Sequence, residues 1–194
     1  MRLTHKYVFG NIWFGFNIHI WADYKKTVET IGIQDICCDG LRVLFLEYDE
    51  KLRYDWLIAE LKRIQQEFKL SNIYIFESSK DSYHCFCMDK LTSKEINTIV
   101  DTTSADYAFR KNHVYDYVSR VLRIAKKGDK PMPKYLEALK SDFNTREKSY
   151  AHLLFLKNYY LVPDADLNFM NNDKARLKED ALELVRYSTS HNVK

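Results

Sequence analysis

The chain is poor in the residues that break regular structure. Its 194 residues include only five glycines and three prolines, whereas 46% are hydrophobic, with 14 tyrosines and 11 phenylalanines. This composition excludes a disordered or low-complexity chain and is typical of a globular protein that is long enough to bury a full core. We therefore expect one domain, or one domain with an appendage.

The chain also lacks long apolar runs and a strong net charge. No run reaches the roughly 20 apolar residues of a membrane-spanning helix. The opening MRLTHKYVFGNIWFGFNIHIW is interrupted by Asn, Gly and His, which makes it a poor signal peptide. We predict a cytoplasmic protein without a membrane partner. Because the net charge is only +3, nucleic-acid binding would have to come from a local basic patch.

The four cysteines lack the spacing of a zinc site. Cys37 and Cys38 are adjacent, and one residue separates Cys85 from Cys87. Neither arrangement matches the two-residue loop that zinc ligands usually enclose. Cys85 and Cys87 share one face of a predicted strand, so we expect reduced, structural thiols.

Hydrophobic periodicity predicts an α+β fold. The predicted strands are one or two within residues 6–21, then Val43–Tyr48, Ile73–Phe76, Tyr83–Met88 and one in YDYVSRVLRI. The predicted helices are Lys25–Ile31, Tyr54–Phe68, one capped by Thr92 or Ser93, Ser104–Lys111, Lys134–Phe143, Arg146–Tyr160 and Asp173–Tyr187. One glycine and two prolines interrupt both periodicities in KKGDKPMP, so we divide the chain into an α+β core, 1–130, and a helical C-terminal extension, 131–194.

Two carboxylates lie at the end of the strand in LRVLFLEYDEK. Side chains alternate along a strand, so Glu47 and Asp49 share a face and emerge together. Two close carboxylates repel unless a cation or a proton intervenes, and Mg²⁺ or Mn²⁺ prefers such an oxygen-rich setting. The alternative is a strand that ends in a solvated turn.

Two further clusters carry polar or basic groups. Ser82 and His84 share a face of the strand in DSYHCFC, which a strand–helix–strand–turn connection can place beside the carboxylate strand. Arg123 and Lys127 in SRVLRIAKKGDK would suit a triphosphate or a nucleic-acid backbone. The alternatives are a structural histidine and a basic surface turn. For a third acid, local pattern leaves open three residues, Asp101, Asp106 and Asp116.

The combination of VLFLEYD, SSKDSYH and SADYAF followed by YVSRVLRIAKK resembles the archaeo-eukaryotic primase superfamily, in its compact plasmid and viral members. The resemblance covers residues 41–130 and keeps the order and approximate spacing of three short motifs. It implies an RNA-recognition-motif-like mixed sheet and a primase or primase-polymerase, a nucleotidyltransferase that extends strands on single-stranded DNA in the replication of a mobile element.

The resemblance also implies roles for individual residues. Glu47, Asp49 and Asp106 would hold Mg²⁺ or Mn²⁺, and the nucleoside triphosphate would contact Ser82, His84, Arg123 and Lys127. Three features depart from the family pattern: Glu replaces the usual first Asp, the third acid is ambiguous between Asp106 and Asp101, and the second motif has no glycine. The chain also shows no Cys/His set like the zinc module that some primases carry. The C-terminal helices would cover the sheet, hold the template or dock a partner such as a replicative helicase.

Two other functions remain open. A rolling-circle initiator endonuclease needs two metal-binding histidines on one strand, and neither His19 nor His84 has such a companion two residues away. A non-catalytic nucleic-acid-binding protein, including a weakened primase relative, could use the aromatic and basic residues of YAHLLFLKNYY. The aromatic stripe there also fits an intramolecular core, to which we assign Leu153, Leu154, Leu156 and Tyr160.

Overall fold

The chain forms two compact units. The structure is a computed structural model, and it describes residues 2–9, 12–19, 27–37, 39–49, 52–111, 113–114, 119–163 and 184–190. Unit 1 consists of Met1–Val28 and Thr189–Lys194, and unit 2 of Glu29–Ser188. In unit 1, β1 (Arg2–Phe9) and β2 (Ile12–His19) form an antiparallel hairpin. This hairpin confirms the strands predicted within residues 6–21.

The remaining elements lie wholly or mainly in unit 2. The strands are β3 (Thr27–Gln34), β4 (Arg42–Tyr48), β5 (Ile73–Ser79), β6 (Ser82–Leu91), β7 (Val121–Arg123), β8 (Lys134–Leu139) and β9 (Leu184–Ser190). The helices are α1 (Tyr54–Phe68), α2 (Ser93–Asp101), α3 (Tyr107–Lys111) and α4 (Tyr150–Tyr160). None of the helices in the described ranges has both the length and the hydrophobicity needed to cross a membrane.

The main sheet has four strands in the order β4-β6-β5-β8, and every neighbouring pair is antiparallel. Because β6 lies between β4 and β5, those two strands are parallel to each other, and α1 connects them. This is a split β-α-β arrangement. The α+β class is confirmed, whereas the RNA-recognition-motif-like assignment stays a prediction. β7 pairs with β3 in a separate sheet of order β7-β3-β9.

The two faces of the main sheet are covered by different helices. On one face, the Tyr48 hydroxyl donates to Glu60 of α1 over 2.8 Å. On the other face, the ring centroids of Phe76 and Tyr160 of α4 lie 4.6 Å apart. Phe45 belongs to this second face, and so does Glu47 two residues further along β4. The candidate carboxylate therefore lies on the α4 side of the sheet.

A buried ion pair anchors the start of β4. Arg42 Nη1 donates to Asp35 Oδ1 over 2.9 Å, and both side chains are fully buried. Arg42 Nε donates to Ser93 Oγ over 3.1 Å, and the Arg120 backbone N–H donates to Asp35 Oδ1 over 3.1 Å. These bonds connect β4 to α2 and to the segment before β7, so the carboxylate strand is held at its far end.

Three helix predictions are wrong in the parts of them that the structure describes. Lys134–Phe143 contains β8, which pairs with the edge of β5. Residues 27–31, the described part of Lys25–Ile31, all belong to β3, which pairs with β7. The C-terminal part of Asp173–Tyr187 belongs to β9, and residues 173–183 lie outside the described residues.

The region after residue 130 is therefore not simply a helical extension. In the described residues it supplies the helix α4, a strand of the main sheet and the strand β9. The division at residue 130 stays a prediction. The helix predicted over Tyr54–Phe68 is confirmed with the same bounds. The expected cap is confirmed too, because Thr92 and Glu95 form a capping box at α2.

Candidate functional site

The centre of the candidate site is a cross-strand pair between β4 and β6. Glu47 lies directly opposite His84 in the antiparallel register. His84 Nε2 lies 3.4 Å from Glu47 Oε1. The His84 side chain is buried, whereas 29% of the Glu47 side chain remains exposed. The next pair on the same face is Phe45 opposite Phe86, with ring centroids 5.0 Å apart. The polar pair thus borders an apolar core.

The Glu47 carboxylate is held in its ionised form. Burial is the largest influence and raises its pKa, but the hydrogen bond and charge of His84 and the charges of Lys130 and Lys127 lower it. The lowering influences win, so the pKa of Glu47 lies below its usual value. A partly exposed carboxylate that stays ionised is suited to a cation or to a basic group of a ligand.

The second carboxylate, Asp49, follows the end of β4. Its Oδ2 lies 3.7 Å from Lys130 Nζ, and 40% of the Asp49 side chain is exposed. The Ser82 hydroxyl at the start of β6 donates to the Asp49 backbone carbonyl over 3.3 Å. Ser82 is buried and therefore positions the end of the carboxylate strand in this structure. The nucleotide contact predicted for Ser82 stays a prediction.

A basic turn lies beside these carboxylates. Lys127 and Lys130 exchange both backbone hydrogen bonds, over 3.1 and 3.0 Å. Gly128 between them has φ 56°, a left-handed conformation that glycine adopts without strain. Burial and the charge of Lys130 lower the pKa of Lys127, and the negative charge of Glu47 offsets part of this lowering. The turn therefore brings two ammonium groups to the carboxylate strand.

The guanidinium of Arg123 holds this turn in place. Arg123 Nη1 donates to the carbonyl of Ala125 over 2.8 Å and to that of Pro131, and Nη2 donates to the carbonyl of Ser78 on β5. Arg123 is 6% exposed. It ties both ends of the basic turn to the main sheet. Its predicted contact with a nucleotide is untested, and its visible function is positioning.

Asp106 is close to Glu47 through its backbone. The Asp106 N–H donates to the Glu47 carbonyl over 2.7 Å. Its Oδ1 accepts from the N–H groups of Ala108 and Phe109 over 2.8 and 3.3 Å, so the carboxylate caps α3. Among the other third-acid candidates, Asp101 contacts His113 over 3.0 Å, and Asp116 lies outside the described residues.

The fit of a divalent metal to these carboxylates is partial. Glu47 and Asp49 have the oxygen chemistry that Mg²⁺ and Mn²⁺ prefer. Within the described ranges, however, no set of three or more His, Cys, Asp or Glu side chains is arranged to hold a metal ion. The metal site composed of Glu47, Asp49 and Asp106 therefore stays a prediction.

A small pocket adjoins Asp49 at the end of β4. Its volume is about 100 Å³, and Asp106 forms another part of its wall. Aromatic, apolar and basic side chains complete it, among them Tyr48, Leu52, Tyr107 and Arg110. Sequence reasoning missed this pocket as well as Lys130. The signal for Lys130 was the Gly-Asp turn in KKGDK, which returns a third lysine towards the first two.

Two predicted structural roles are supported by burial. Cys37, Cys85 and Cys87 are buried and form no disulfide, and burial raises the pKa of the Cys85 and Cys87 thiols, which makes these two inert. Cys38 lies outside the described residues. On α4, Leu153 and Leu156 are buried, and Leu154 and Tyr160 are partly buried and pack against the core, as predicted.

Comparison of the chain with protein-family models, with curated proteins and with solved structures returns no match.

Proposed function

We propose that the chain is a metal-dependent nucleotidyltransferase of the primase or primase-polymerase type that acts on single-stranded DNA. The carrying observation is the Glu47–His84 pair, which lies beside Asp49 and is approached by Lys127 and Lys130. A metal–triphosphate complex requires groups that bind the metal cation and groups that bind the phosphate anion. The carboxylates can bind the cation, and the histidine and the two ammonium groups can bind the anion.

The proposal assigns a role to each group. Glu47 and Asp49 would hold Mg²⁺ or Mn²⁺, with Asp106 as the third carboxylate. A bound divalent metal supplies stabilisation of the attacking and leaving oxygens during transfer to a 3′-hydroxyl. Ser82, His84, Arg123 and Lys127 remain the proposed nucleotide-binding set, and Lys130 joins it.

Within that set, we assign the lysines to binding the triphosphate and Arg123 to positioning the lysines. Lys127 and Lys130 carry the charge that would neutralise the triphosphate. Arg123 would act indirectly, because its guanidinium donates to backbone carbonyls and thereby fixes the turn that carries the two lysines. The same proposal includes the partners and the setting. The partners would be a single-stranded DNA template, nucleoside triphosphates and a replicative helicase, and the setting would be the replication of a mobile element in the cytoplasm.

A second candidate function is a non-catalytic relative that binds nucleic acid. The observation in its favour is that two of the proposed site residues already have structural partners. The Asp106 carboxylate caps α3, and the Arg123 guanidinium donates to backbone carbonyls. This candidate predicts binding of single-stranded DNA without incorporation of nucleotides.

The test is incorporation of radiolabelled nucleotides on a single-stranded DNA template with Mg²⁺ or Mn²⁺. Wild type is expected to give product, and Asp49→Ala to abolish it. Asp55→Ala is the matched control, because Asp55 is an exposed carboxylate that pairs with Arg53. Absence of product from wild type with either metal would overturn the enzyme proposal and support the second candidate. An unaffected Asp49→Ala variant would overturn the assignment of the site.

A further inference from the structure

The pocket beside Asp49 has the size of a site for one ring. Its volume of about 100 Å³ is well below the roughly 300–1,000 Å³ of pockets that enclose a drug-sized ligand. Tyr48 and Leu52 give it apolar wall area. A whole nucleoside triphosphate would not fit, whereas a single planar base could enter it.

Tyr107 stands at this pocket with its ring largely in solvent. Its exposed fraction is 66%, among the highest of the large apolar side chains that the structure describes. It is the first residue of α3, a helix that already has a cap in Asp106. An exposed aromatic ring at the rim of a pocket offers a stacking surface to a base, because every nucleobase has a π-face.

Positive charge accompanies the ring. Lys111 Nζ lies 6.0 Å from the centroid of the Tyr107 ring. Arg110 forms part of the pocket wall, and its Nε donates to the Ala105 carbonyl over 2.8 Å, which fixes the orientation of its guanidinium. An aromatic platform with flanking cations matches a strand whose bases stack and whose phosphates need neutralising.

We propose that this pocket binds one unpaired base of a single-stranded nucleic acid, with Tyr107 as the stacking platform and Arg110 and Lys111 beside the backbone phosphates. The inference rests on the proposed function, because the pocket shares Asp49 and Asp106 with the candidate site. It adds a strand-binding role for Tyr107, a residue of SADYAF to which the resemblance assigns no role, and the base would lie next to the carboxylates proposed to hold the metal.

The test measures binding of a fluorescein-labelled oligothymidylate by anisotropy, with the full chain, in EDTA and without nucleotide. Loss of a base–aromatic stack costs about 1–3 kcal/mol, so Tyr107→Ala is expected to weaken binding about 5- to 150-fold. Tyr107→Phe retains the ring and is expected to bind like wild type. Trp56→Ala is the matched control, since Trp56 is 65% exposed on α1 and does not line the pocket.

A second measurement locates the base directly. Irradiation with an oligonucleotide that contains 5-bromodeoxyuridine is expected to attach the strand to the peptide that carries Tyr107, as read by mass spectrometry. Cross-links only elsewhere would overturn the proposal. So would an unweakened Tyr107→Ala variant, an equal loss in Trp56→Ala, an equal loss in Tyr107→Phe, or a wild type that does not bind the strand.

The outcomes separate this inference from the proposed function. Binding that depends on Tyr107 in a protein without nucleotide incorporation would support the base site and overturn only the enzyme. Incorporation that depends on Asp49 but is indifferent to Tyr107→Ala would support the enzyme and overturn only the base site.

Discussion

The ion pair between Lys130 and Asp49 predicts opposite effects on cation and anion binding. In the structure, Lys130 Nζ lies 3.7 Å from Asp49 Oδ2. A divalent cation at Asp49 would have to displace this ammonium group, whereas a triphosphate would gain from it. Neutralising the lysine should therefore help a metal ion that binds alone and should hinder a triphosphate.

The magnitude follows from exposure. Of the two side chains, 46% and 40% remain exposed, so water and salt screen the pair. Exposed ion pairs contribute roughly 0.2–1 kcal/mol, and the part of that range above about 0.4 kcal/mol corresponds to about 2- to 5-fold in a binding constant. Lys130→Gln is accordingly expected to bind Mn²⁺ about 2- to 5-fold more tightly and to bind a non-hydrolysable nucleoside triphosphate at least that much more weakly.

The assay is electron paramagnetic resonance of free Mn²⁺ for the cation and calorimetry for the triphosphate, at low ionic strength. Lys126→Gln is the matched control. Lys126 is exposed in the same segment, and the hydrogen bond that it accepts from Thr30 involves its backbone carbonyl. The reasoning is refuted if Lys130→Gln changes both affinities in the same direction, changes neither, or behaves like Lys126→Gln.

Two further predictions concern stability. The pKa of Glu47 is lowered in the folded state from the ordinary value of 4.5. As the pH falls through about 4.5, the unfolded chain therefore takes up this proton before the folded chain does. The stabilisation from the ionised carboxylate is present above that pH and is lost as the pH falls further. In urea unfolding, the advantage of wild type over Glu47→Gln should shrink below pH 4.5; an advantage that stays constant or grows would contradict this. Phe86→Ala removes a buried ring whose centroid lies 5.0 Å from that of Phe45 and 5.1 Å from that of Phe76. This substitution is expected to lower the free energy of unfolding by about 3–5 kcal/mol. The exposed Trp56→Ala control should change it by less than about 0.5 kcal/mol, and a comparably small loss in Phe86→Ala would contradict the packing.

Periodicity predicted the central elements well. The apolar spacing of α1 gave the observed bounds Tyr54–Phe68, and the strands β4, β5 and β6 lie where their β-branched and aromatic residues predicted them. These segments are buried on one or both sides, so burial itself selects the pattern that identifies them. The alternation along β4 also predicted that Phe45 and Glu47 share a face of the strand, and the register with β6 places His84 on that face.

The edges of the fold followed other rules. In β8, the Tyr135 ring packs against Phe76 with the ring centroids 5.4 Å apart, and the strand forms because β5 offers it a pairing partner. The local sequence of this segment is equally compatible with a helix, and strand propensity depends strongly on such context. For β3, pairing with β7 decides between helix and strand in the same way.

The sequence by itself determined the class of the fold, the order of its central elements and which residues share a face along each strand, because each depends on a period of two or 3.6 residues. Only the tertiary structure decided that Glu47 lies opposite His84 and which groups surround that pair. Lys130 reaches Asp49 across 81 residues of chain, Arg123 reaches Ser78 across 45, and the Asp106 carboxylate is occupied as a helix cap. Such contacts join segments that are distant in the sequence. The local hydrophobic periodicity of each segment does not depend on them, so it cannot predict them.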